Sequence, residues 1–165
     1  MSSPALPSAT DATRLLMQDH REVEALFDKY DDLVDGEGSD DDRMLIAQQI
    51  CVALTVHAQV EEELFYPASR DVLAEDEQDV VDEAYVEHAG AKRLIAELKD
   101  ATPDAEYYDA KVKVLGEYIR HHVKEEENEY FPLVRETPLG LEELGARIAQ
   151  RKEQLMARTE APADA

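Results

Sequence analysis

Apolar residues recur at intervals of three, four and seven positions over several long stretches of the chain. This spacing aligns side chains along one face of an α-helix, because a helix completes a turn about every 3.6 residues. Four of the stretches are long, and a fifth, shorter one lies near the C-terminus. They cover about residues 11–34, 43–67, 77–99, 104–135 and 141–158. The pattern predicts an all-α protein, an up-down-up-down four-helix bundle with a short C-terminal fifth helix.

Turn-forming residues separate the predicted helices. Two glycines and short polar residues at 35–42 predict a loop, and Ala-Thr-Pro at 101–103 ends the third helix. Pro67 and Pro132 fall late in the second and fourth helices. Each should kink or end its helix, because proline lacks a backbone donor and its ring clashes with the preceding turn.

These boundaries predict three segments along the chain. Residues 1–9 carry two prolines among small residues and are expected to form a flexible arm, after which Thr10 or Asp11 could cap the first helix. The bundle is expected to cover residues 10–136. The remaining residues, 137–165, are expected to form the C-terminal helix and a frayed tail.

Each of the four long helices carries one histidine within its apolar stripe, and two of them carry a glutamate as well. These inward-pointing candidates are His20, His57, Glu61, His88, His122 and Glu126. Burying four imidazoles and two carboxylates without partners would cost on the order of several kcal/mol. A lone histidine on an apolar face is usually a satisfied core residue, so the inference depends on the whole set. Coordination of metal ions would remove the cost of burial.

The candidates lie on an internal repeat. Residues 57–67 can be laid on residues 122–132 at an offset of 65, and a histidine, two glutamates, an aromatic pair and a proline then coincide. A second match, at an offset of 68, aligns the Asp-His pair at 19–20 with the Glu-His pair at 87–88. The chain therefore resembles two copies of a helix pair, each with a lone histidine followed by His-x-x-x-Glu.

The His-x-x-x-Glu spacing places an imidazole and a carboxylate one turn apart on the same helix face. Two such helices that face each other can hold two ions, and four-helix bundles are known to build dinuclear sites in this way. Imidazole together with carboxylate suits iron, zinc or manganese better than calcium or magnesium. One such motif arises easily as a surface pair on an acidic helix, whereas two facing copies predict a metal site.

Two further residues stand near the candidates. His121 lies about 100° round its helix from His122, so we expect it at the surface or supporting the site from outside. Glu24 comes four residues after His20 and could reach the same site as a ligand or as a supporting group.

The charge of the chain narrows the classes of partner. It has 39 acidic and 17 basic residues, a formal net charge of -22, which would repel phosphate backbones and anionic membrane surfaces. Cys51 is the only cysteine, which excludes a disulfide within the chain and favours a small core residue. No basic and apolar leader or long apolar run is present, so we expect a cytoplasmic protein.

The ordered motifs resemble those of the hemerythrin-like HHE cation-binding family. They are Asp19-His20, His57-x-x-x-Glu61 with Phe65-Tyr66-Pro67, Glu87-His88, and His122-x-x-x-Glu126 with Tyr130-Phe131-Pro132. The resemblance covers about residues 10–136 and implies an up-down-up-down four-helix bundle. It also implies that the six candidates ligate two iron ions in an oxo- or hydroxo-bridged pair, with Glu61 and Glu126 as the carboxylate bridges.

The chain departs from the respiratory hemerythrins at one ligand. Those proteins have a further histidine four residues away on the third helix, where this chain has Ala84 and Lys92. The missing ligand leaves room for water, Glu24 or a tyrosine at one iron. Simple reversible oxygen carriage is therefore not the expected function.

The resemblance leaves several functions open. An open di-iron centre could bind or sense dioxygen, nitric oxide or peroxide, or it could decompose peroxide as a catalase-like enzyme. Storage or delivery of iron is a third function, and a bundle without metal is the remaining alternative. The predicted partners are small diatomic ligands or peroxide, with no nucleic acid and no membrane; the protein partner and the oligomeric state stay unknown.

Overall fold

Seven α-helices account for most of the described chain. The computed structural model describes residues 11–160, so the arm expected at 1–9 and the end of the tail lie outside the described residues. The helices are α1 Ala12–Asp35, α2 Asp40–Val60, α3 Tyr66–Val72, α4 Asp79–Lys99, α5 Tyr108–Glu125, α6 Phe131–Arg135 and α7 Leu141–Glu160. No strand occurs between residues 11 and 160. The all-α prediction is confirmed.

Two π-helical turns join four of these helices in pairs. The bundle therefore has four long helical rods, which are α1, α2 with α3, α4, and α5 with α6. The turn Glu61–Phe65 connects α2 to α3, and the turn Glu126–Tyr130 connects α5 to α6. Each rod neighbours the next along the chain, and α1 also contacts α5, which closes the bundle. The C-terminal α7 packs against α1 and α2. This is the predicted up-down-up-down bundle with a fifth helix on its side.

Side-chain caps and backbone geometry set helix starts that the apolar pattern did not locate. The Ser39 hydroxyl accepts the amide of Asp42, so α2 begins at Asp40 rather than near residue 43. The acidic residues assigned to the loop form its first turn, where they favour the positive end of the helix dipole. The fourth rod begins at Tyr108 rather than near residue 104, after Tyr107 adopts a left-handed φ of 64°.

The two late prolines follow a local change of helix geometry, and the helical rods continue beyond them. Pro67 and Pro132 each stand in the first turn of the short helix that follows a π-helical turn. In the first of these turns the amide of Tyr66 donates to the carbonyl of Glu61, five residues earlier. The second turn repeats this geometry and begins at Glu126. Such turns are frequent at functional sites, and here each begins at a candidate glutamate.

The apolar core consists of two clusters on either side of a polar layer. One cluster surrounds the aromatic residues of the π-helical turns and includes Leu144, Ile148 and Leu155 of α7. The other fills the opposite end of the bundle and contains Cys51, which is 3% exposed, as expected for a core residue. The apolar face predicted for α1 is buried except at its end, where Val34 is 39% exposed.

None of the helices within residues 11–160 combines the length and the apolar character that crossing a bilayer requires.

Candidate metal centre

The six predicted side chains meet in the polar layer between the two apolar clusters. All six are buried, and the most accessible of them, His57, is only 6% exposed. The lone histidines come from α1 and α4, and the His-x-x-x-Glu motifs come from the ends of α2 and α5. The helical spacing inferred from the sequence therefore brings all six residues to one place.

The histidine Nε2 atoms and the two carboxylates form the inner layer of the site. Glu61 Oε1 lies 2.5 Å from His57 Nε2 and 3.6 Å from His88 Nε2. Glu126 Oε1 lies 2.9 Å from His122 Nε2, and its Oε2 lies 3.2 Å from His20 Nε2. Each carboxylate thus stands between two histidines, one on its own rod and one on another.

The candidate ligand atoms divide into two overlapping groups. His20, His57 and Glu126 offer atoms that lie within 4.8 Å of one another. A second group, also within 4.8 Å, contains Glu61, His88, His122 and Glu126. Because Glu126 belongs to both groups, the arrangement suits two cations that share this carboxylate.

Several buried polar atoms of the inner layer make no hydrogen bond. They are Nε2 of His20 and His57, both carboxylate oxygens of Glu61, and Oε2 of Glu126. Buried polar atoms are nearly always hydrogen-bonded, because an unpaired atom loses its hydrogen bonds to water and gains none in the protein. Their convergence at one point, with imidazole and carboxylate as the donor types, fits a site for transition-metal cations.

The outer ring nitrogen of every candidate histidine faces a carboxylate. The Nδ1 contacts are His20 with Glu127 at 3.0 Å, His57 with Asp19 at 3.1 Å, His88 with Glu62 at 3.4 Å and His122 with Glu87 at 3.0 Å. An ionised carboxylate can only accept, so Nδ1 of His20, His57 and His122 carries a hydrogen, and each of these rings can turn an Nε2 lone pair inward once Nε2 has lost any proton it holds. The longer His88 contact is electrostatic and is not a hydrogen bond. Carboxylates behind the histidines are typical of metal sites.

Basic side chains hold three of these four outer carboxylates. Arg21 donates to Glu127 at 2.9 Å, and Lys92 donates to Glu62 at 2.7 Å. Lys152 of α7 donates to Asp19, so the fifth helix contributes to the site. The fourth carboxylate, Glu87, has only the exposed imidazole of His121 beside it, at 3.7 Å.

Two glutamates that the sequence pattern did not single out, Glu62 and Glu127, also belong to the site. Their side chains are 22% and 17% exposed, and each supports a histidine of another rod. The repeat held the signal for this role, because Glu62 and Glu127 directly follow the candidate ligands Glu61 and Glu126 at the same offset of 65.

Tyr66 is the tyrosine that reaches the site. Its hydroxyl donates to Glu126 Oε1 at 2.7 Å and lies 3.0 Å from His88 Nε2. The sequence left water, Glu24 or a tyrosine open for an additional ligand. Glu24 is excluded by its position, because its partly exposed carboxylate pairs with Arg120 at 2.8 Å on the outside of the bundle.

The buried carboxylates determine the protonation of the histidines in the metal-free protein. Burial alone would lower the pKa of His57, but the charge of Glu61 and the hydrogen bond to Asp19 raise it to about 10. For His122, burial again acts downward, while Glu126 and Glu87 raise the pKa to about 11. Metal ions must therefore displace protons from these rings.

A cavity of about 460 Å³ reaches the four histidines from the surface. Its exposed lining residues are Lys92, Ala96 and Lys99 of α4 and Glu63 of the π-helical turn after α2, so it opens between α4 and the rod that begins with α2. The inner walls are mostly apolar and include Val23, Leu54, Ala91, Ile95 and Ile119. The cavity offers small molecules a route to the histidines.

Comparison with known proteins supports the architecture. Residues 11–134 match the family model of the hemerythrin HHE cation-binding domain. The fold is similar to a crystal structure of a hemerythrin HHE cation-binding domain-containing protein from Mycobacterium kansasii, with a TM-score of 0.73, 23% sequence identity, and coverage of 90% of this chain and 89% of that one.

A curated relative is a protein of Nostoc sp. named DNA nickase. It is 30% identical to this chain over 123 residues, which are 73% of this chain. The aligned region is 32% of the relative, so the chain spans about a third of that protein's length.

Proposed function

The chain belongs to the hemerythrin HHE cation-binding domain family, and from this premise we propose that its six buried ligands hold two iron ions that bind or sense dioxygen, nitric oxide or peroxide. When bound, such an iron pair supplies redox chemistry and a coordination position for a small molecule. The proposed ligands are His20, His57, Glu61, His88, His122 and Glu126. Glu126, and Glu61 opposite it, would bridge the two ions.

One observation carries this proposal above all. Five buried polar atoms of His20, His57, Glu61 and Glu126 converge without a hydrogen bond of good geometry, within two groups that share Glu126. A bundle without metal would hold these atoms only by close contacts between imidazoles and carboxylates, which leave much of their hydrogen-bonding capacity unmet. Two cations of a metal that accepts both imidazole and carboxylate would satisfy the atoms of both groups.

The outer residues of the site would position its ligands. The carboxylates behind the four histidines hold each ring with its Nε2 inward, and the basic partners of these carboxylates limit their motion. This double support favours retained metal over metal that is readily delivered elsewhere. We therefore prefer a binding or sensing role to iron storage or delivery.

The apolar cavity and Tyr66 would control what happens to a small molecule. The apolar walls admit dioxygen, nitric oxide or peroxide and limit the access of water and ions. The Tyr66 hydroxyl, which hydrogen-bonds Glu126 beside His88, provides a proton donor at the same place.

Peroxide decomposition is a second candidate, and Tyr66 is the observation that favours it. Conversion of two molecules of hydrogen peroxide into two of water and one of dioxygen requires protons to be moved between oxygen atoms. A buried hydroxyl next to the ligands is suited to this task. In that case the protein would be a catalase-like enzyme rather than a sensor.

Two measurements separate these candidates. For binding or sensing, the reduced iron-loaded protein should give a stable spectral change on addition of dioxygen or nitric oxide. For peroxide decomposition, hydrogen peroxide should yield sustained dioxygen evolution that His122→Ala abolishes. If the iron-loaded protein neither changes its spectrum nor evolves dioxygen, both candidates are wrong.

Nucleic acid is not part of the proposal, although the Nostoc relative is named for an action on DNA. The net charge of -22 would repel a phosphate backbone, and the chain matches only 32% of that relative. We also propose a cytoplasmic location, because the single cysteine forms no disulfide within the chain and is buried in its core.

A further inference from the structure

A cluster of acidic side chains lies on the surface between α4 and the rod formed by α5 and its π-helical turn. The cluster consists of Glu83, Glu87, Glu125 and Glu129. No lysine or arginine among residues 11–160 forms an ion pair with the cluster; its partners are the imidazoles of His121, with Nε2 3.0 Å from Glu125 and 3.7 Å from Glu87, and of His122 behind Glu87. The outer carboxylates Glu62 and Glu127, by contrast, are each paired with a lysine or an arginine. This patch therefore keeps its negative charge.

A narrow crevice leads from this acidic cluster into the bundle. Its free space is about 10 Å³, close to the roughly 10–15 Å³ that a single water molecule requires. The small side chain of Ala84 forms part of its wall. The crevice therefore has room for about one water-sized species and is too small for an organic molecule.

The inner end of the crevice is lined by Glu126, a proposed ligand of both ions. Glu126 is 1% exposed, and its Oε2 has no hydrogen-bond partner. A buried, unpaired carboxylate at the end of an acidic crevice is an acceptor for a cation that arrives from the cluster. The surface charges and the buried carboxylate thus lie on one path.

The charge around the crevice distinguishes it from the apolar cavity between α2 and α4. The carboxylates of Glu83, Glu87, Glu125 and Glu129 all line the crevice, which concentrates negative charge at its mouth. A divalent cation would be drawn to this charge, whereas it would lose its hydration against the apolar cavity walls.

We propose that the acidic crevice between α4 and α5 is the uptake route by which ferrous ions reach the buried site. This inference rests on the proposed function, since it requires that the six ligands bind iron. Cations and small oxidants then approach the same centre from different faces, the cations through the crevice and the oxidants through the apolar cavity. Exchange of ligands from surface carboxylates to Glu126 would carry each ion inward.

Anaerobic stopped-flow uptake of Fe²⁺ by the metal-free full-length chain tests this route. The test variant is the triple substitution Glu83→Gln, Glu125→Gln and Glu129→Gln, which leaves all six proposed ligands and Glu87 intact. Uptake should slow by about 10-fold or more at low ionic strength, because electrostatic steering accelerates association by roughly 10–1,000-fold. The final iron content should equal that of the unchanged protein.

A matched control removes three negative charges elsewhere. Asp32→Asn, Asp35→Asn and Glu37→Gln change exposed residues at the end of α1 and in the loop after it. The control should slow uptake by less than about 2-fold, and at about 1 M salt, where charges are screened within about 3 Å, all three proteins should load at similar rates. Equal slowing by the two triple variants would overturn the uptake route.

A steric variant tests the same path without changing charge. Ala84→Val narrows the crevice and should slow uptake at low and at high salt, with the final iron content unchanged. Uptake at the original rate would contradict passage beside residue 84. Failure of the unchanged protein to bind iron at equilibrium would instead contradict the proposed function itself, so the two failures are distinguishable.

Discussion

The two halves of the duplicated site have the same ligands but different surroundings. The first half comprises the α1 and α2 ligands His20, His57 and Glu61, and the second comprises the α4 and α5 ligands His88, His122 and Glu126. Behind His57, Asp19 is 7% exposed and is held by Lys152 of α7. Behind His122, Glu87 is 23% exposed and lies in the acidic cluster. The carboxylate behind His57 is therefore more enclosed than the one behind His122.

The aromatic pair in each π-helical turn adds a second difference. Tyr66 occupies in the first copy the position that Phe131 occupies in the second. The Tyr66 hydroxyl bonds to Glu126 of the second half, whereas the Phe131 ring stacks against His20 with centroids 6.0 Å apart. The two carboxylates consequently differ, because Glu126 accepts a hydrogen bond from a tyrosine, whereas Phe131 at the matching position has no hydroxyl to donate to Glu61. Chemistry that needs a proton should depend on the Tyr66 side.

The largest expected effect comes from removing the two carboxylates in turn. Glu126 belongs to both ligand groups, so Glu126→Ala should reduce the iron content from two ions per chain to nearly none. Glu61→Ala leaves the group of His20, His57 and Glu126 complete, so one ion should remain. Metal analysis after equilibrium dialysis measures both contents. Equal losses in two variants of unchanged helicity would show that the halves do not differ in this way.

The next effect is a dependence of the metal-free protein's stability on pH. The pKa values of His57 and His122 rise to about 10 and about 11 on folding, from about 6.5 in the unfolded chain. The folded state then binds more protons, and this stabilisation is complete below about pH 6.5 and is lost as pH rises through about 10 and 11. Urea unfolding of the metal-free protein should show decreasing stability over that window.

The affinity for iron should change with pH in the opposite direction to the stability of the metal-free protein, because metal binding displaces the protons from both rings. Iron affinity should therefore increase with pH over the same window, with proton release that a pH indicator detects. A metal-free protein whose stability stays constant from pH 7 to 10 would rule out the proposed protonation of His57 and His122.

A smaller effect is expected from the carboxylates behind the histidines. Asp19→Asn and Glu87→Gln should each weaken iron affinity by about 10- to 100-fold, the range typical of such outer partners. The loss should be greater for Asp19, because it is the more buried of the two and its substitution also removes the partner of Lys152. Competition with a chelator of known affinity measures both values. A greater loss for Glu87→Gln would reverse the ranking of the two halves.

The smallest effect concerns the aromatic pair. Tyr66→Phe removes a hydrogen bond to a buried carboxylate and should lower the free energy of unfolding of the metal-free protein by about 1.5–3 kcal/mol. Phe131→Tyr, at the matching position, adds a hydroxyl without restoring that bond. If the double variant recovered the original stability, the two positions would be interchangeable and the second difference between the halves would be lost.

The apolar pattern and the repeat predicted much of this molecule, for identifiable reasons. A histidine inside an apolar stripe has to face the core, so the positions of His20, His57, His88 and His122 follow from helical spacing alone. Two helix starts differ from the prediction. A side-chain cap by Ser39 sets one of them and the left-handed backbone of Tyr107 sets the other, and apolar spacing reveals neither.

The contacts between rods were harder to foresee. Glu62, Glu127 and Tyr66 reach across to histidines or carboxylates of other rods, and a sequence gives no distance between rods. Glu24 illustrates the opposite error. It has the right spacing from His20, yet Arg120 of a neighbouring helix holds its carboxylate outside the bundle.

Iron quantification of the full-length protein, produced with adequate iron and measured together with its oxidised absorption spectrum, tests the central claim most directly. The account predicts two iron ions per chain and the near-ultraviolet band of a bridged diferric pair, both lost in Glu126→Ala. A well-folded protein that holds less than one transition-metal ion per chain under these conditions, or that keeps two ions in Glu126→Ala, would contradict it.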